Sequence, residues 1–181
     1  MTMHNEIARD TAAARLSEVE AYWRSLIRRG LPPLRAHIDP NRIGTALSEV
    51  FLLDAIAPGA GRLRIAGRAL CDLAGDEARG LPLSCLFAHP ARARLSDLLE
   101  RAFEAHHPCR APLTVPGMGG GRGPVGALLL LPLRPHAGMA PQILGALAHD
   151  LSPGLHRFGF AGPVRIGAPP TDATPLRLVP A

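Results

Sequence analysis

The chain has 181 residues, 47% of them hydrophobic and only 4% aromatic, and a formal net charge of +5. That length suits one domain with extensions, and the core must be built of Leu, Ala, Val and Ile rather than aromatic rings. All 20 basic residues are Arg; with no Lys, a Walker phosphate loop and Schiff-base or pyridoxal-phosphate chemistry are both excluded.

The Arg residues are scattered rather than gathered into the stripe that a nucleic-acid surface needs, so no nucleic-acid partner is expected. The three cysteines, Cys71, Cys85 and Cys109, form no CxxC pair, which suits free thiols in a reducing compartment. Met1 to Asp10 is polar, without the apolar core of a signal peptide. The longest apolar run, Ala127 to Leu131 with Leu133 beyond the proline, is far below the ~20 residues of a membrane helix. These features point to a cytoplasmic protein with no membrane span.

In chain order, Asp10 or Thr11 caps a helix running to about Arg29, on which Ala12, Leu16, Val19, Trp23 and Leu26 form one apolar stripe. Gly30 and Pro32-Pro33 end it. The stripe packs either on its own domain or on a second copy; in the second case Leu16, Val19, Trp23 and Leu26 form a homodimer interface. A short helical piece follows Asp39 or Asn41. Val50 to Ala57 is almost wholly apolar and predicts a buried strand. The turn Pro58–Gly61 leads into Arg62 to Ile65, whose polar/apolar alternation predicts a hairpin partner.

Gly67 to Gly80 predicts a short helix ending at Gly75, and Leu81 to Phe87, interrupted by Pro82, a turn or a single helical loop. Pro90 opens a longer helix with Ala91, Leu95, Leu98, Leu99, Ala102, Phe103 and His106 on one face, stopped by Pro108. Strands are predicted at Leu113–Val115, Val125–Leu133 and Gln142–His149, the first two separated by the Gly-rich loop 116–124. His156 to Ile166 adds an edge segment, and 169–181 reads as a tail. The domain plan is a helix over 1–30, a folded unit over 31–150 and a Pro/Gly-rich extension over 151–181.

The chemistry-bearing residues are few. His106-His107-x-Cys109 is the one cluster of ligand types; a metal or heme on it lacks a second cluster at suitable spacing, and a His at a helix end has an ordinary electrostatic explanation. The run 117–123 (GMGGGRG) could wrap an anion but does not open a helix, so a hairpin loop is the simpler reading. Asp54, inside an apolar strand, needs a partner such as Arg64 or Arg68. No metal or cofactor is expected, and no paired acid/base constellation supports an enzyme.

The order of two strands, short helices, a long helix and three strands is that of the PAS fold. Tyr22-Trp23, Leu31-Pro32, Ile38-Asp39-Pro40, Phe51-Leu52-Leu53-Asp54, Leu63-Arg64-Ile65-Ala66-Gly67, Leu70-Cys71-Asp72-Leu73 and Gly80 resemble a family of small, mainly alphaproteobacterial PAS-like proteins once described as a domain of unknown function. The likeness runs from about Tyr22 to His149. It implies an α+β fold: one antiparallel five-stranded sheet with helices packed on one face, plus the N-terminal helix. It also implies a regulatory role, with some association with motility or cell-cycle control. Members carry no agreed catalytic motif. Ligands in this fold sit between sheet and helices, so Leu53, Leu63, Ile65, Leu73, Cys85, Phe87, Phe103, Leu113, Leu129 and Ile143 would line a pocket for an apolar small molecule, or simply fill the core. The resulting expectation is a sensor module acting through a signalling partner or through itself.

Overall fold

The structure is a computed structural model that describes residues 2–75, 77–117, 124–136, 138–152 and 154–170. Its centre is one antiparallel sheet in the order β2-β1-β5-β4-β3-β6, with β7 also paired to β3. The strands are β1 (Val50–Ala57), β2 (Ala60–Ala66), β3 (Cys109–Thr114), β4 (Gly126–Leu133), β5 (Gln142–His149), β6 (Gly159–Phe160) and β7 (Arg165–Ile166). The sheet therefore has seven strands where five were expected. The two extra ones come from the C-terminal extension and pair with Leu113–Thr114 and Cys109–Arg110. They cover the open edge of β3, which would otherwise present unpaired backbone groups.

Both faces of the sheet are covered at β4 and β5, and this explains the almost unbroken apolar runs of these two strands. On one face lie α2 (Arg68–Ala74) and α3 (Arg92–Phe103), packed over Leu53, Leu63, Leu128, Leu130, Ile143 and Leu147. On the other lies α1 (Thr2–Ser25), packed over Leu129, Leu131, Leu133, Leu144, Ala146 and Ala148. Gly75, at φ +85, closes α2 as anticipated.

The stripe on α1 is spent on this second face. Ala12, Leu16, Val19 and Trp23 are buried against the chain's own sheet, and Leu26 packs at the margin of the same cluster. The Trp23 indole N–H donates to the Pro132 carbonyl at 2.8 Å. Pro132 sits beyond Leu130, the last β4 residue paired with β3, so its missing N–H removes no bond on that side. Arg110 of β3 donates to Ser17 Oγ and to the Ala13 carbonyl, both at 3.0 Å. Arg15 pairs with buried Glu49 at 2.6 Å. The helix begins earlier than expected and ends four residues sooner than Arg29. There the Arg28 guanidinium takes the Ser25 and Ile27 carbonyls, and Arg29 and Gly30 both adopt positive φ in a tight turn.

Residues 34–49 form a strap along the same face as α1, made of three 3₁₀ turns: Arg35–His37, Pro40–Arg42 and Gly44–Glu49. Asp39 starts the second, accepting the Asn41 N–H at 3.0 Å. Its own N–H donates to the Tyr22 hydroxyl at 2.8 Å. Ile38, Ile43 and Ala46 are buried in the α1-side cluster, so the strap is a packed element and not a loose connection.

Gly145 on β5 stands directly opposite Phe51 on β1. A side-chain carbon there would run into the Phe51 ring. Gly145→Ala should therefore lower stability by about 1–3 kcal/mol, the range for overpacking a filled core. A thermal or urea melt checks this; an unchanged midpoint would contradict the seating of Phe51.

Candidate functional site

The residues proposed from sequence to line a pocket are not all on one side of the sheet. Leu53, Leu63, Leu73, Phe87, Phe103, Leu113 and Ile143 do meet, fully buried under α2 and α3. Phe87 stacks on Phe160 with ring centroids 5.5 Å apart and leans on Phe158 at 6.2 Å. The extension thus brings in two rings that the sequence plan left out of the core. Cys85 is half-buried in the 3₁₀ turn Leu83–Leu86. Leu129 faces α1, on the opposite side. Ile65 is also elsewhere: a register shift between Leu52 and Leu53 pairs it with Leu52, and it is 48% exposed.

The His106–Cys109 cluster does not assemble. α3 stops at Phe103, so His106 does not continue its apolar face; it takes a left-handed conformation, φ +54, in the turn that follows. Cys109 begins β3, buried, with its thiol donating to the His107 carbonyl at 3.4 Å. Burial pushes the Cys109 thiol up to about 11, against a smaller opposing pull from Arg101. Among the described residues no three His, Cys, Asp or Glu side chains gather as a metal would require. The anion loop proposed at 117–123 lies outside the described residues except for Gly117. Asp54 finds the first of its two candidate partners: Arg64 donates to it at 3.0 Å, and Gln142 at 2.6 Å.

What the fold does build is a groove on the α1 side. α1 covers β4 and β5, and the strap crosses beside it, leaving the β1–β2 part of that face open. Two hollows lie there. One, of about 290 Å³, is bounded by Ile38, Pro40, Ile43, Leu47, Leu52 and Ile65. The other, of about 350 Å³, is bounded by Leu34, Arg35, Leu52, Arg64, Ile65, Arg134, His136 and Met139. They share Arg35, Leu52 and Ile65, so they are two ends of one groove. Each lies near the lower end of the size range for small-molecule sites, roughly 300–1,000 Å³. Leu47, Ile65 and Met139, between 45% and 50% exposed, stand along it. The edge of β2 is partly closed, because Leu63 exchanges backbone hydrogen bonds with Leu81 and Gly80. The opening is therefore the sheet face rather than the strand edge.

Sequence reasoning placed a short helical piece after Asp39 or Asn41 but did not assign it to a face of the sheet, so the groove beside it was missed. The signal was present in Ile38, Ile43 and Leu47, too many apolar residues for a solvated loop.

The sequence profile of the PAS domain matches residues 11–148, about three quarters of the chain. The chain belongs to the PAS domain family. No curated protein sequence and no solved structure matches it. The match takes in most of α1, the strap and all five central strands, and ends before β6 and β7. As a PAS domain it is an α+β sensory or regulatory module, a class that commonly works by contact with other proteins and by pairing. No helix among the described residues is long and apolar enough to cross a membrane.

The thiols give a direct check on this packing. At pH 8, Cys71 and Cys85, both half-buried, should react with a disulfide reagent in the folded protein. Cys109, with its raised pKa and 2% exposure, should react only on unfolding, since the thiolate is the nucleophile. Peptide mass mapping assigns the sites; rapid labelling of Cys109 would contradict its burial.

Proposed function

We propose that this PAS domain is a non-catalytic regulatory module that works by pairing with a second copy through the open β1–β2 face, in exchange with a signalling protein. The observation that carries the reading is the row Leu47, Ile65 and Met139, large apolar side chains about half exposed along one groove. Contiguous apolar surface on a small domain commonly marks an interaction site. Leu16, Val19 and Trp23 are committed to the chain's own sheet, which favours this face over the α1 stripe for pairing. The filled core under α2 and α3 favours contact over chemistry as the mode of action. The three free thiols suit action in the cytoplasm.

Ile65→Asp puts a charge at the centre of the row without touching the core. In sedimentation velocity the wild-type protein should run as a dimer and the variant as a monomer, with unchanged circular dichroism. A wild-type monomer at all accessible concentrations, indistinguishable from the variant, would overturn pairing through this face.

A further inference from the structure

The groove is not uniform along its length. Toward Val50 and Gly67 it is walled by Ile38, Ile43, Leu47 and Leu52. Toward Gln142 it is ringed by Arg35, Arg64 and Arg134, with His136 beside them. The carboxylate at this end, Asp54, is already held by Arg64 and Gln142, while Arg35 donates to the Ile38 carbonyl at 3.4 Å. The Arg134 guanidinium has no ion-pair partner among the described residues; only its backbone N–H is engaged, to the Pro33 carbonyl. The basic end thus carries positive charge in excess of what Asp54 neutralises. From β1, Val50, Phe51 and Leu52 line the groove, and Asp54, which holds Arg64 and Gln142 at the basic end, stands roughly 13 Å from Val50 at ~3.3 Å per residue.

An apolar trough closed at one end by uncompensated guanidinium groups matches one ligand chemistry. We propose that the groove binds an anionic amphiphile, a medium-length acyl chain ending in carboxylate or phosphate, with its tail on Ile43, Leu47 and Leu52 and its head at Arg134. Arg presents a planar fork suited to either oxyanion. The tail gains by leaving water, and the head supplies the charge that Arg134 lacks. This rests on the reading of the same face as the pairing surface: a bound chain covers Ile65 and Leu47, so ligand and second copy compete, and the ligand shifts the population toward monomer.

Titration calorimetry with monomeric dodecanoate, dodecyl phosphate and dodecanol tests it. Dodecanoate and dodecyl phosphate should bind one per chain, at least about tenfold tighter than dodecanol, and Arg134→Glu should abolish that preference. Leu47→Glu, at an exposed position, should weaken both anions similarly. Equal binding of dodecanol and dodecanoate, no binding of either anion, or full affinity in Arg134→Glu would overturn the site. Binding only to anionic vesicles, with none of the monomeric amphiphiles, would overturn it too, in favour of a membrane surface. Sedimentation with saturating dodecanoate separates the two ideas. Specific binding to a protein that is monomeric throughout keeps the groove site and removes the pairing. A dimer broken by Ile65→Asp but indifferent to every amphiphile keeps the pairing and removes the site.

Discussion

The indole of Trp23, fully buried and hydrogen-bonded to the Pro132 carbonyl, holds α1 across β4 and β5. The rest of the molecule is arranged around that seat. Because α1 covers one half of the outer face, β4 and β5 can be apolar on both sides. Because α1 stops at Ser25, the strap 34–49 has room to cross the same face, tied back by Tyr22 to Asp39 and by Arg15 to Glu49. The remaining strip over β1 and β2 is what neither element reaches. The groove is therefore a consequence of how far one helix extends, and loosening α1 would change its walls.

The two faces divide the work. Under α2 and α3 lie buried leucines and a cluster in which Phe87 stacks on Phe160 and tilts against Phe158, the last two from the C-terminal extension. A chain so poor in aromatic residues places all five of its phenylalanines in or against this core, where a volume between sheet and helices would otherwise need filling. The opposite face carries the exposed apolar row and the Arg groups. Stability and surface properties are thus set by different side chains, and a change at Ile65 or Arg134 leaves the buried core intact.

Much of the fold was legible in the sequence. Val50 to Ala57 and Gln142 to His149 are strands over the residues their apolar runs indicated, and Gly75 ends α2 because a positive φ there favours glycine. The order of elements along the chain, two strands, short helices, a long helix and three strands, is the one the sequence indicated. The rest was hidden for identifiable reasons. The bulge between Leu52 and Leu53 turns Ile65 outward, and a bulge leaves no mark in an alternation of only four residues. Leu129 lies in a run of consecutive leucines that are buried on both faces, so its side of the sheet was not readable. The pairing of β6 and β7 with β3 rests on two-residue contacts from a segment rich in Pro and Gly. Arg64, not Arg68, meets Asp54 because it lies across the hairpin, a matter of register alone.

The chain contains a single tryptophan, so its fluorescence reports the seat of α1 without any labelling. If α1 is docked as described, the folded protein emits with the blue-shifted maximum of a buried indole and resists iodide quenching. Both properties should be lost together with the β-sheet signal on unfolding. A red-shifted, freely quenched emission from protein whose sheet is intact would contradict the account, since α1 would then be off the face that shapes the groove.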